Sequence, residues 1–271
     1  MKRLAPEVKD ITEEEIPGTA IGSTNAQSKR LDADFARLLS IRCMLEENLI
    51  QIAGVIDAAE AQMLQQCGVR CLGFPLRLPV HREDLTEEEA AAIIKSLAPP
   101  AFGVLITYLD EASEIAAFCH ALGARIVQLH GDIDRDELQR LKTLDPNLAV
   151  IKSLVIGMHD DKALEATLSE LSPFVDAFIT DTFDPKTGAS GATGKTHDWR
   201  VSRRLVELAD RPIILAGGLT PENVKRAILE IRPSGIDSHT GVEDSTGRKS
   251  REKVKKFLSE AHEAFALVQA K

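Results

Sequence analysis

The feature that most constrains this chain is an alternation, repeated eight times, of short apolar runs with stretches of helical spacing. The apolar runs are Leu49–Ala53, 69–74, 103–108, 125–130, 149–155, 177–181, 212–216 and Gly235–Ser238. Between and after them lie helix-like stretches at 57–66, 87–97, 111–122, 135–143, Asp161–Leu171, Trp199–Leu208, 221–231 and 251–267. Several carry their own punctuation. Thr86 with Glu89 spells a capping box, and Gly68 and Gly123 stand where helices stop. Thr220-Pro221 sets a capping hydroxyl before a proline at the first helical position. Runs such as Ile213-Ile214-Leu215 are apolar without alternation, which suits parallel strands covered on the outside by helices.

Eight such units in about 220 residues match the size of a (β/α)8 (TIM) barrel. An open doubly wound sheet is the alternative, but no GxGxxG follows the first strand. Residues 48–271 therefore read as one α/β barrel domain. Residues 1–47 read as an N-terminal extension, partly flexible, with one helix over 31–47. Phe35, Leu38, Leu39 and Met44 would form that helix's apolar face.

Charge and cysteine usage narrow the function. The 33 Lys and Arg against 42 Asp and Glu leave −9, which argues against a nucleic-acid partner. Any anionic ligand must then be held by local features. The four cysteines form no CxxC pair, so reduced cytosolic thiols are expected and no metal site. The N-terminal MKRLAPEVKDITEEEIPG has no apolar core of a signal peptide, and no run of about 18 apolar residues occurs. A cytoplasmic protein without a membrane partner is expected.

In a barrel of this kind, ligands meet the C-terminal ends of the strands. The seventh run ends in Gly217-Gly218, and the eighth in Ser238-His239-Thr240-Gly241. Adjacent glycine loops let backbone N–H groups approach an anion, so Gly217, Gly218, His239, Thr240 and Gly241 are candidate phosphate ligands. Tight turns alone would also use those glycines. The sixth run ends in Asp181, ahead of the Gly-rich stretch TFDPKTGASGATGKTHDW, which is able to close over a ligand. Gln128 and His130 share one strand face by alternation. Asp237 points either at a ligand or at the neighbouring loops.

Together VQLHGD (127–132), GATGKTHDW (191–199), LAGGLTPENV (215–224) and GIDSHTGVE (235–243) resemble the phosphoribosylanthranilate isomerase family of tryptophan biosynthesis. The likeness spans roughly residues 49 to 265. It implies a TIM barrel and an Amadori rearrangement of an aminoaldose phosphate to an aminoketose phosphate, without metal or organic cofactor. It implies that Asp181 is the general acid and that the Gly217-Gly218 and Thr240-Gly241 loops grip the phosphate. A family arginine that binds the anthranilate carboxylate falls at Arg82, nine residues after Gly73, with Arg77 as a rival. The implied partner is a small phosphorylated sugar-type ligand, with a homodimer possible.

One departure bears on the chemistry. The family's general base is a cysteine at the end of the first strand, and the aligned residues here are Gln51, Ile52, Ala53 and Gly54. A general base typically contributes roughly 10²–10⁴-fold. Three readings follow. The chain is an isomerase whose base has moved to His239, Cys71 or His81. Alternatively, it is a relative acting on another phosphosugar as isomerase or lyase, or a non-catalytic phosphosugar-binding protein.

Overall fold

In the computed structural model, which describes residues 39–79, 83–158, 160–184, 189–190 and 196–270, the eight apolar runs become eight parallel strands. These are β1 (Leu49–Ala53), β2 (Cys71–Pro75), β3 (Phe102–Thr107), β4 (Ile126–Leu129), β5 (Ala149–Ile156), β6 (Ala177–Asp184), β7 (Ile213–Leu215) and β8 (Gly235–Ser238). Each strand pairs with its sequence neighbours. β8 returns to β1 with Gln51 opposite Asp237, which closes the ring and leaves no barrel edge. The fold is the (β/α)8 barrel.

Strand parity sorts the side chains into two cores. Ile50, Ile52, Leu72 and Phe74 face outward to the helices. Leu49, Ala53, Cys71, Val104, Ile106 and Ile151 face the barrel interior. The outer layer consists of α2 (Ala58–Cys67), α3 (Glu87–Ser96), α4 (Ala112–Leu122), α5 (Arg135–Leu144), α6 (Asp161–Leu171), α7 (Trp199–Leu208), α8 (Val224–Ile231) and α9 (Arg251–Gln269). The capping signals act as the sequence suggests. Thr86 and Glu89 exchange both capping-box hydrogen bonds, and Gly68 (φ 96) and Gly123 (φ 77) end α2 and α4 in the left-handed region.

Three local expectations change. A helix, α1, covers 39–46, but Leu39 is 46% exposed. Its buried face is Ile41, Met44 and Leu45, which sit with Leu49 and Phe102 in the interior cluster and fill the barrel floor. The register differs because the floor, rather than the outer helices, is what this helix packs on. Arg42 reaches Asp176 at 3.0 Å and Lys142 pairs with the same carboxylate, which ties α1 beside α5. Phe35 and Leu38 lie outside the described residues. Second, α8 begins at Val224, not Pro221. Asn223 donates to the Gly218 carbonyl (2.9 Å) and accepts from the Thr220 N–H (2.8 Å), holding 220–223 as a turn. Third, β6 runs past Asp181 to Asp184 because Phe183 and Asp184 pair antiparallel with Ser190 and Ala189.

Candidate active site

The interior of the barrel turns polar toward its C-terminal end. Leu49, Gln51 and Ala53 share the inward face of β1, so Gln51 stands one layer below the mouth. Its Nε2 donates to Gln128 Oε1 at 2.8 Å. Gln128 Nε2 lies 2.7 Å from His130 Nε2, and His130 Nδ1 lies 3.6 Å from Asp181 Oδ2. At the other end, Gln51 hydrogen-bonds Asp237, its partner across β1 and β8. The result is a buried polar string, Asp237–Gln51–Gln128–His130–Asp181, spanning the barrel between two carboxylates.

Burial decides the charge state of this string. A carboxylate withdrawn from water loses solvation, so its acid form is favoured. Burial pushes Asp181 up to about 7, and the nearby Asp237 charge adds to that. The Thr182 N–H, which donates to Asp181 Oδ1 at 2.7 Å, opposes it. Asp237 is likewise pushed up to about 7 by burial, against the hydrogen bond from Gln51 and the charge of Lys249. His130 is pushed down to about 3 by burial, with Lys152 contributing, and is neutral. A neutral imidazole has one donor and one acceptor nitrogen. With the Gln128 amide donating to Nε2, the proton sits on Nδ1, on the side of Asp181. His130 Nδ1, Gln51 Oε1 and Asp237 Oδ1 are buried and have no hydrogen-bond partner. Buried polar atoms left open in this way mark a place where a polar ligand belongs.

Beside the string stand the two glycine loops. Gly217 (φ 98) and Gly218 (φ 63) follow β7 in conformations that L side chains rarely adopt. A Cβ on Gly217 would stand 2.2 Å from Thr182 Oγ1. That hydroxyl bonds His197 Nδ1 at 3.0 Å, and His197 Nε2 meets Ser202 Oγ at 2.5 Å. His197 therefore braces β6 against α7, as its place before that helix suggests. Gly241 is required by closeness, since a Cβ there would meet the Leu219 carbonyl oxygen at 1.9 Å. Ser238 Oγ donates to that same carbonyl at 2.8 Å, so the loops after β7 and β8 form one surface. Thr240 is exposed at the start of a single 3-10 turn.

The His239 imidazole lies over Gly54, where an added Cβ would be 2.0 Å from His239 Nε2, and Nε2 is 3.4 Å from Glu243 Oε1. Cys71 is fully buried at the level of Gln51, its Sγ 3.4 Å from Met44 Sδ of the floor-filling helix, and burial pushes its thiol up to about 12. Cys71 is therefore packing, not a base. Arg77 is committed outside the barrel, with ion pairs to Glu87 (2.8 Å) and Glu114 (2.7 Å) and its guanidinium 3.8 Å over the Phe118 ring. Arg82 and His81 lie outside the described residues, as do residues 185–188 and 191–195 of the Gly-rich stretch after β6.

The N-(5′-phosphoribosyl)anthranilate (PRA) isomerase family matches residues 50–260. This chain belongs to that family. Among PRA isomerases, one from Methanosarcina mazei named N-(5′-phosphoribosyl)anthranilate isomerase 2 is 38% identical over 225 residues, covering 81% of this chain and 96% of the relative. One from Haloferax volcanii is 34% identical over 216 residues, covering 79% and 93%. The solved Thermotoga maritima PRA isomerase superposes with a TM-score of 0.68 at 27% identity, covering 80% of this chain and 99% of that one. Another PRA isomerase structure, solved with reduced 1-(o-carboxyphenylamino)-1-deoxyribulose 5-phosphate, gives 0.66 at 25% identity, covering 80% and 99%.

Sequence reasoning found the two glycine loops, Asp181, Gln128, His130 and Asp237, and the fold brings them to one end of the barrel. It did not assign Gln51 to the string, although alternation within β1 puts it on the inward face with Ala53. Glu243 and Lys249 were also missed. Lys249 is 5% exposed, and its Nζ bonds Glu243 Oε1 at 2.7 Å. Nothing in their local sequence signals that pairing.

Proposed function

We propose that this chain is a cytoplasmic phosphoribosylanthranilate isomerase, converting an aminoaldose phosphate to the aminoketose phosphate with no cofactor. The observation that carries the reading is Asp181, a buried carboxyl at the mouth of a family barrel that burial pushes up to about 7, so that a large share of it carries a proton near neutrality. In that state it can protonate the ring oxygen of the sugar and open the ring. His130 Nδ1–H, facing the carboxyl, would stabilise the anion left behind. Gln51, His130 and Asp237 would contact the opened sugar through the buried atoms that lack partners, while Gln128, whose amide bonds Gln51 and His130, would hold that layer in place. A relative bound to a phosphorylated product analogue supports a phosphosugar ligand here. No described helix is long and apolar enough to cross a membrane. A homodimer is part of the proposal, since a Thermotoga maritima relative is described as dimeric.

The direct experiment is turnover of phosphoribosylanthranilate by the purified chain. Formation of the aminoketose phosphate supports the reading. Tight binding of the reduced product analogue without any turnover overturns it, and favours the second reading, a relative acting on another phosphosugar. The observation behind that second reading is the methyl group of Ala53 at the end of β1, where the family resemblance implies a thiol.

The phosphate grip has its own test. Gly241→Ala forces a methyl group against a backbone carbonyl that has no room to move aside, because Ser238 holds it. The β7 and β8 loops must separate, and charge-assisted N–H contacts to phosphate, worth roughly 1.5–3 kcal/mol each, are lost. KM should rise about tenfold or more, with inhibition by inorganic phosphate weakened in parallel. Gly247→Ala is the control: its φ of 84 strains the backbone, but nothing lies within 4 Å of the added Cβ, and KM should stay put.

A further inference from the structure

The isomerisation needs a proton acceptor as well as a donor, and Asp181 is the donor. Several of the described titratable groups around it are committed elsewhere. His130 receives the Gln128 amide on its lone-pair nitrogen. Cys71 is a fully buried thiol against Met44. Lys152 shares the parity of Val150 and Leu154, which face the helices, and its Nζ bonds the Ser153 carbonyl. The His239 ring lies over Gly54 against Glu243. Asp237 keeps an open acceptor, a buried Oδ1 with no hydrogen-bond partner.

The sheet register sets Asp237 against the donor. Ile179 of β6 pairs with Ile214 of β7, and Ile214 pairs with Gly235 of β8. Two steps further along these strands stand Asp181, Ala216 and Asp237, with the parity of Ile179 and Ile214, which face the interior. The two carboxyl groups therefore flank the methyl group of Ala216. Their backbones are two strand spacings apart, about 9–10 Å, which admits the C1′–C2′ end of a sugar between the side chains. Asp181 is 7% exposed and Asp237 9%, so a ligand that touches one can touch the other.

Two carboxyls in one buried site do not readily ionise together, because the second charge meets the first. Burial pushes both up to about 7, and the Asp237 charge adds to the shift of Asp181. Their surroundings decide which one holds the proton. Asp237 accepts from Gln51 and feels the charge of Lys249, whereas Asp181 has only the neutral Thr182 N–H at 2.7 Å. Lys249 is fixed in place, since its Nζ bonds Glu243 at 2.7 Å and its backbone N–H donates to Glu60 Oε1 at 2.7 Å. The anion is favoured at Asp237 and the proton at Asp181, which makes an acid and a base of two like groups.

We propose that Asp237 is the general base of this isomerase, working across Ala216 from Asp181 in place of the group that Ala53 lacks. The inference rests on the isomerase reading above. Once Asp181 has given its proton to the ring oxygen, the opened substrate carries a protonated C1′=N bond. Asp237 Oδ1 takes the proton from C2′, the C2′–H electron pair becomes the C1′=C2′ bond, and the C1′=N pair moves to nitrogen. Asp237 then returns its proton to C1′ as the enol hydroxyl on C2′ gives its own to Asp181 and becomes the ketone. Both carboxyls end in the state in which they began, and no oxidant, reductant or metal enters the balance. Lys249 acts as a positioning residue that keeps Asp237 ionised.

The test is kinetic. The parent's kcat should fall as pH drops below about 7, where Asp237 takes up its proton. Asp237→Asn should lower kcat about 10²–10⁴-fold and leave binding of the reduced product analogue within a fewfold of the parent. Its residual rate should lack the acidic limb, and the isotope effect with C2′-deuterated substrate should grow. Lys249→Met reads the same group without replacing it, and should move the acidic limb to higher pH. Turnover of Asp237→Asn within tenfold of the parent overturns the base assignment alone. So does an acidic limb that persists in that variant, or a fall in analogue binding as large as the fall in kcat, which would make Asp237 a sugar contact only. Absence of turnover in the unmodified chain overturns the isomerase reading, and the base assignment with it.

Discussion

Asp181→Asn is expected to lower kcat by about 10²–10⁴-fold while leaving the reduced product analogue bound. The substitution keeps the shape of the side chain and removes the proton it donates. The pH dependence gives the signature. Burial pushes the Asp181 carboxyl up to about 7, so the acid form that opens the sugar ring is present below that value and lost above it. The parent enzyme's kcat should therefore fall as pH rises past about 7, about tenfold per pH unit at the alkaline end. The residual rate of Asp181→Asn should lack that limb. An unaltered limb in the variant would assign the donor elsewhere.

The same carboxyl has a cost in stability, and its sign is fixed by linkage. The folded pKa is raised above the unfolded value, so between about 4 and about 7 the native state binds more protons than the unfolded chain. Stability then falls as pH rises through that window and stays lost above it. Asp237 contributes in the same direction. Asn at position 181 cannot ionise, so the variant that loses turnover should melt several degrees higher than the parent at pH 8, and by a smaller margin at pH 5. A loss of activity coupled to a gain in stability is what a functional, rather than structural, buried acid predicts.

How much of this was legible in the sequence depends on the range of the interactions. The strands were readable because each is a local run, and closure into a ring followed from counting eight of them. The glycine loops were readable because positive φ and close approach are demands on single residues. Asp181 was readable as a polar residue at the end of an apolar run. By contrast, the floor-filling face of α1 was legible at Met44 but not at Ile41 and Leu45. Ile41 and Leu45 are chosen by contacts with strands that come later in the chain, and helical spacing alone fits Leu39 equally well. The proton positions were not legible either. The neutral state of His130 and the raised acid form of Asp181 come from burial, with Lys152 acting on the imidazole and Asp237 on the carboxyl from other strands. The Glu60–Lys249–Glu243–His239 arrangement joins residues up to 189 positions apart and leaves no local pattern.

The position of Ala53 permits the second large effect to be measured as a gain. Ala53→Cys is expected to raise kcat about tenfold or more, at the low end of what a positioned proton acceptor contributes. The methyl group of Ala53 faces the interior at the very end of β1, and the adjacent strand offers no Cβ there because Gly73 occupies the place. A thiol can be accommodated at that place, where the family resemblance puts the general base. Its success depends on depth, since only the thiolate accepts a proton. Cys71, one strand over and nearer the floor, is pushed up to about 12 by burial, whereas position 53 lies a residue pair closer to water than the Gln51 level. The gained activity should vanish on alkylation with iodoacetamide, while the parent enzyme, whose cysteines near the site are buried or absent, should keep its rate under the same treatment. A gain that resists alkylation would mean that the thiol is not the acceptor. No gain, with the product analogue still bound, would show that the pocket beside β1 no longer presents C2′ to the first strand.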